Sequence, residues 1–135
     1  MVIDTSALVA ILRKEPEREA LLRTILAAET RLVSTVTALE AGMVLEARLG
    51  PRAEAALDLL LHHAKVGMVP FDEQQSDVAR RAWRRFGKGN HPAALNFGDC
   101  CVYALAKVSG EPILCKGADF SRTDIPTVTP ASEPQ

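Results

Sequence analysis

The sequence predicts an α/β fold, a three-layer α/β/α sandwich around a short, mostly parallel central sheet. Three observations carry that expectation. Short apolar runs without in–out alternation recur along the chain, stretches with helical apolar periodicity separate them, and glycine or proline marks many of the junctions. Strands buried on both faces read as unbroken apolar runs, and helices between them supply the crossovers that parallel pairing needs.

Met1–Asp4 is a short apolar run ending in an acid and suits a buried first strand. Ser6 to Arg13 reads as a helix with a continuous apolar face. Pro16 fits the first turn of the next helix, where its missing N–H costs no intrahelical bond. That helix runs to about Glu29, with Leu21, Leu22, Ile25 and Leu26 inward. Arg31 to Ser34 is the second strand. A third helix is expected from near Thr37 to the Gly50-Pro51 stop. Leu57, Leu60, Leu61 and Ala64 then stand at i, i+3, i+4 and i+7, one stripe of a fourth helix. Gly67 to Phe71 is the third strand. Asp72 caps a helix reaching Phe86, on which Ala79, Trp83 and Phe86 form the apolar stripe, so Trp83 is expected in the core. After Gly87-Lys88-Gly89-Asn90, a further helix begins at Gly98 or Asp99 and closes at Gly110. Pro112 to Cys115 is the fourth strand and Pro126 to Thr129 a short fifth. No repeat or linker interrupts residues 1–129, read as a single domain, and the proline-rich, polar segment 130–135 is expected to be a flexible tail.

With 135 residues, 47% hydrophobic, the chain has apolar surface for one core and too little length for two. Disorder is excluded on the same ground. Sixteen basic against 17 acidic residues leave a net charge of −1, which excludes a globally basic architectural DNA binder. The longest apolar run, Cys100 to Ala106, is far shorter than the roughly 20 residues a bilayer span needs, so no membrane partner is expected. No basic n-region precedes Asp4, so no secretory signal is read. Cys100, Cys101 and Cys115 are odd in number and lack metal-knuckle spacing. They are expected to be reduced core residues of a cytoplasmic protein.

Four acids stand in unusual places. Asp4 ends the first strand, and Asp119 follows the fourth after Lys116-Gly117-Ala118, so both fall on the sheet edge where such folds bind ligands. Asp99 sits at the mouth of the last helix. Glu40 has Val36, Met43, Val44 and Ala47 at i−4, i+3, i+4 and i+7, a carboxylate on an apolar helical face. Each has a plain structural reading: Asp4 and Asp99 as N-caps, Thr37 to Glu40 as a capping box, Asp119 as a turn residue. Together they imply more, because carboxylates gathered at one edge repel one another unless a cation neutralises them. Oxygen ligands without His or Cys suit Mg²⁺ or Mn²⁺, which can polarise a phosphodiester and activate water.

The segments Met1-Val2-Ile3-Asp4-Thr5-Ser6-Ala7-Leu8, Gly87 to Leu95, Asn96-Phe97-Gly98-Asp99 and Lys116-Gly117-Ala118-Asp119-Phe120, with Glu40 between them and Thr123-Asp124-Ile125 after them, resemble the PIN-domain family, and within it VapC-type toxins of bacterial toxin–antitoxin pairs. The resemblance spans nearly the whole chain except the tail. It implies a Mg²⁺- or Mn²⁺-dependent endoribonuclease that cleaves RNA, tRNA among the candidates, and stops translation. The family's acidic quartet falls on Asp4, Glu40, Asp99 and Asp119, all four both catalytic and metal-holding. Asp4 and Asp99 would be the first ligands, Glu40 would bind metal or orient water, and Asp119 would hold a second ion or a bridging water. Its small hydroxyl residue falls on Ser6, with Thr5 as the other candidate. A cognate antitoxin and a homodimer are also implied, with the apolar faces around Leu8–Leu12, Leu21–Leu26 and the third and fourth helices as candidate surfaces.

RNA needs cationic contacts. Between Val78 and Gly98 stand Arg80, Arg81, Arg84, Arg85 and Lys88 with no acid, and His91 follows, so this stretch is the candidate RNA path beside its alternative as a solvated helix face. A phosphoacceptor receiver domain or a phosphatase with an Asp-x-Asp nucleophile would need an acidic pair after the first strand, where Asp4 is followed by Thr5 and Ser6. A non-enzymatic binding module leaves Glu40 with only the capping box to explain it.

Overall fold

The computed structural model describes residues 1–130, so the expected tail lies, apart from Pro130, outside the described residues. Four strands, β1 (Val2–Ile3), β2 (Leu32–Ser34), β3 (Gly67–Val69) and β4 (Ile113–Leu114), form one sheet in the order β3-β2-β1-β4, and every pairing is parallel. Helices α1 (Thr5–Leu12), α2 (Arg18–Ala27), α3 (Thr35–Leu49), α4 (Arg52–His63), α5 (Glu73–Phe86) and α6 (Phe97–Ser109) cover it. The predicted three-layer α/β/α class holds.

Side-chain alternation along the short strands builds two cores. Ile3, Val33 and Leu114 face one side, where Leu8, Ile11, Leu21, Ile25, Leu45 and Leu57 from α1 to α4 meet them. Val2 and Ile113 face the other, against Phe86 of α5, Val102, Tyr103 and Leu105 of α6, and Phe120. Because β2 and β4 flank β1 on opposite sides, the chain changes direction across the sheet at β1. The carboxyl ends of β1 and β4 therefore lie at the switch point of the sheet, the usual ligand position in open parallel sheets.

Several local expectations are corrected. Pro126–Thr129 is no strand; a single bridge, Ile113 to Thr127, is all that forms. Pro16 lies in a turn before α2, which starts at Arg18. On that helix Leu21 and Ile25 are buried as expected, but Leu26 is exposed and Thr24 takes a buried place instead. The cap of α3 is Ser34, whose Oγ accepts from the Val36 N–H; Thr37 is buried inside the helix, so the Thr37–Glu40 capping box does not exist. Ser34 is fully buried and orients the helix that carries Glu40. Ser34→Ala is expected to lower unfolding stability by about 1 kcal/mol, measured by urea denaturation, with an unchanged m value.

Trp83 is the largest correction. The buried positions of α5 are Gln75, Ala82 and Phe86, and Trp83 is 43% exposed. The core stripe runs through a glutamine and an alanine, which hides it from hydrophobic periodicity. Among the described residues no helix is long and apolar enough to cross a membrane.

Candidate active site

Asp4 leaves β1 and caps α1. Its Oδ2 accepts from the Ser6 N–H at 3.1 Å and from Ser6 Oγ at 2.6 Å. The same Ser6 Oγ accepts from the Lys116 N–H at 2.9 Å, so one hydroxyl ties the ends of β1 and β4 together. Gly117, at φ +98°, turns the link that carries Asp119 beyond β4. Thr5, the first residue of α1, donates from Oγ1 to Glu40 Oε1 at 2.5 Å and thereby fixes α3 against the β1 end. Both hydroxyl candidates are thus engaged with acids of the quartet.

At the mouth of α6 the cap is Asn96, not Asp99. Asn96 Oδ1 accepts from the Asp99 N–H at 2.9 Å, and Asp99 Oδ2 accepts from the Asn96 N–H at 3.0 Å, a reciprocal capping box. Between them Gly98 lies against Glu40: a β-carbon there would come within 2.9 Å of the Glu40 Cδ and Oε1. The motif Asn96 to Asp99 was legible in sequence, but the role of its glycine, bringing α6 onto a carboxylate of α3, was not.

Electrostatics join the four acids. Burial, the largest cause, pushes the Asp4 carboxyl up from the usual range, with the charges of Glu40 and Asp119 adding to it against the Ser6 hydrogen bonds. Asp99 is pushed up to about 6 by burial first, and the charges of Asp4, Asp119 and Glu40 each raise it further. None of the ion pairs found among the described residues reaches any of the four. The nearby Lys116 ammonium is held by Glu15 at 2.5 Å and Glu17 at 3.6 Å instead. Carboxylates from α1, α3, α6 and the β4 loop are therefore crowded and uncompensated, and a hard oxygen-seeking cation is the species that suits them. Among the described residues no three His, Cys, Asp or Glu side chains stand close enough to enclose an ion as they are oriented. Asp4 is turned to Ser6, Glu40 to Thr5 and Asp99 to Asn96, so holding an ion would require these side chains to turn.

The basic stretch divides between two faces. Arg81 and Arg85 line a groove with Tyr103, Lys107 and Asp124, and Arg85 pairs with Asp124 at 3.4 Å. Arg80 and Arg84 line a different groove, with Trp83 and the first turns of α6. Lys88 is exposed in the loop after α5. The His91 ring packs edge-on against Phe86 at 5.1 Å, and its Nδ1 accepts from the Ala93 N–H at 3.0 Å, which gives it a loop-shaping role. The three cysteines are buried and free, and burial pushes each thiol up to about 11, away from reactivity.

Comparison with known proteins agrees with this geometry. The PIN domain family model matches residues 1–126. Ribonuclease VapC30 of Mycobacterium tuberculosis is 52% identical over 128 residues, covering 95% of this chain and 98% of its own. Ribonuclease VapC of Mycolicibacterium smegmatis is also 52% identical, over 95% and 99%. In fold, the chain is similar to crystalline VapC20 of M. tuberculosis, a sarcin–ricin-loop-cleaving toxin, with a TM-score of 0.79 and 19% identity over 96% and 98% of the two chains. It is also similar to a toxin–antitoxin complex from Klebsiella pneumoniae, with a TM-score of 0.72 and 14% identity over 98% of each. The parallel strand order is thus accompanied by similarity along nearly the whole length, and the chain belongs to the PIN domain family and, within it, to the VapC group.

Proposed function

We propose that this protein is a divalent-metal-dependent endoribonuclease, the toxin of a toxin–antitoxin pair, with its active site at the crevice beyond β1 and β4. The observation that carries the reading is that Asp4, Glu40, Asp99 and Asp119 lie near enough for their charges to act on one another, in a chain 52% identical to curated VapC ribonucleases. Asp4 and Asp99 would hold a Mg²⁺ or Mn²⁺ ion, with Glu40 and Asp119 completing the site. When bound, the ion supplies Lewis acidity toward a phosphodiester and lowers the pKa of water.

The chain's own residues do the positioning. Ser6 holds the Asp4 carboxylate at the end of β1 and ties the loop that carries Asp119 beside it. Thr5 holds Glu40 beside the β1 end, where it would serve as the proton acceptor for an attacking water. The Asn96 capping box fixes Asp99 at the positive end of α6, where the helix dipole favours a bound phosphate.

A cognate antitoxin and a homodimer belong to the same proposal, and the structure narrows the surfaces for them. Leu8, Ile11, Leu21 and Ile25 are buried in the core and are unavailable. Leu39, Met43 and Leu49 on α3, Leu26 on α2 and Leu59 on α4 are exposed by half or more. Glu40 thus lies beside an outward apolar row, since α3 buries Thr37, Ala41 and Leu45 and not Met43 or Ala47.

The test is cleavage of total RNA by purified protein, read by mapping new 5′ ends, with Asp4→Asn as control. EDTA is expected to stop cleavage and excess Mg²⁺ or Mn²⁺ to restore it. Mg²⁺ should also raise the melting temperature of the wild type and leave that of Asp4→Asn nearly unmoved. Cleavage that persists in chelator would overturn the metal dependence.

A further inference from the structure

We infer that the groove between α5 and the start of α6 is a stacking subsite for an unpaired nucleobase of the RNA, with Trp83 and Phe97 as its faces and Arg80 and Arg84 as phosphate contacts. This rests on the nuclease reading above and extends it from the reacting phosphate to the base beside it.

The groove measures about 490 Å³, within the range of small-ligand sites. Its floor is apolar, yet Trp83 is 43% and Phe97 75% exposed, so two aromatic faces are offered to solvent without serving the core. The indole is held in place. Gly87 lies beneath it so closely that a β-carbon would come within 2.7 Å of the Trp83 Cδ2 and Cε3. A ring seated on a glycine is pre-organised, which reduces the entropy lost when something stacks on it.

Charge selects the occupant. Arg80 and Arg84 stand one helical turn apart on either side of Trp83 and line the same groove. Neither enters any ion pair found among the described residues, whereas Arg85 on the opposite face is tied to Asp124. An apolar helix laid into the groove would leave two guanidinium groups facing hydrocarbon without an anion. A nucleotide offers both things the groove presents partners for, a flat π-face and an adjacent phosphate.

Position links the groove to the chemistry. Phe97 and Cys101 line it, and Gly98 and Asp99 stand between them in the same helical turn. Gly98 packs on Glu40, whose charge also reaches Cys101. The groove and the acidic site thus share the first turn of α6, and a strand bound across that turn would present a base to the groove. Sequence reasoning missed this because helical periodicity assigned Trp83 to the core.

The chain has one tryptophan, so its emission reads this site alone. The experiment uses full-length Asp4→Asn protein with Mg²⁺, a mixed-sequence single-stranded RNA of about 12 nucleotides, and an abasic oligomer of equal length and charge. Binding is followed separately by anisotropy of a labelled end. RNA is expected to quench Trp83 saturably, while the abasic oligomer binds without quenching. Trp83→Leu should weaken RNA binding about tenfold and leave the abasic oligomer's affinity unchanged. Arg80→Gln and Arg84→Gln should each lower the salt slope by about one for both oligomers. Emission unchanged at saturating RNA, or failure of the RNA to bind, overturns the subsite. A blue shift that depends on protein concentration alone overturns it in favour of a second copy of the chain. Wild-type cleavage is scored independently: quenching without cleavage removes the nuclease reading and keeps the subsite, and cleavage without quenching does the reverse.

Discussion

Asp99→Asn protein is expected to fold, to melt at a higher temperature than the wild type in metal-free buffer at pH 7.5, and to cleave RNA slower by on the order of a thousandfold or more. The two effects have one cause. Asp99 is pushed up to about 6 by burial and by the charges of Asp4, Asp119 and Glu40. The folded chain therefore holds that proton more tightly than the unfolded chain does. The resulting stabilisation is complete below about pH 4 and disappears as pH rises through about 6, so at pH 7.5 the ionised group opposes folding. Asparagine removes that charge while its Oδ1 still accepts the Asn96 N–H, preserving the cap. The melting difference should therefore be a few degrees at pH 7.5 and shrink toward zero near pH 4. The same substitution removes a carboxylate that a metal needs. A variant that melts higher and still cleaves at the wild-type rate would place the active site elsewhere. Measurement needs only a pH series of thermal melts in chelator beside a cleavage assay in Mg²⁺.

Gly98→Ala is expected to lower cleavage by about a hundredfold with no loss of stability, although it adds one methyl group and touches no proposed metal ligand covalently. The added carbon would come within 2.9 Å of the Glu40 Cδ and Oε1, so the carboxylate must swing away. Glu40 is the end of a flexible side chain, and its displacement costs the fold little. Alanine is also the better helix residue by up to about 1 kcal/mol, so the melting temperature should hold or rise. The swing breaks the Thr5 contact and removes the proposed proton acceptor from the crevice. Because the damage acts through Glu40, Gly98→Ala combined with Glu40→Gln should be no slower than Glu40→Gln alone. Multiplying losses in that double variant would mean Gly98 acts by another route.

Most of the architecture was readable because two-sided burial writes itself into composition. Val2 and Ile3, and Ile113 and Leu114, are consecutive apolar residues for the plain reason that successive side chains enter different cores. Asp72 and Gly110 were readable as helix ends because their local backbone chemistry suffices: a carboxylate accepting the Gln75 N–H, and a left-handed closing residue. Less was readable where burial is decided between elements. Glu40 drew notice for standing among Val36, Met43, Val44 and Ala47, yet Met43 is 64% exposed and α3 buries Thr37, Ala41 and Leu45. The apolar residues that made Glu40 conspicuous therefore form an outward face of α3 and not a buried one. Trp83 went the opposite way, assigned inward by hydrophobicity while Gln75 took the buried place.

The amino-acid sequence by itself determined the layered α/β class and the family, and it singled out four acids spread from position 4 to position 119. Those depend on periodicity, on turn chemistry and on motif order, all of which are local properties of the chain. Tertiary structure alone decided that Ser6 joins two strand ends, that Gly98 admits Glu40, and that the arginines of α5 part into a paired and an unpaired face. Each of these is a contact between residues far apart in sequence, and its existence turns on a helix rotation of less than one residue. Hydrophobic pattern sets that rotation only to within a neighbouring position, so packing against the opposing layer has to choose it.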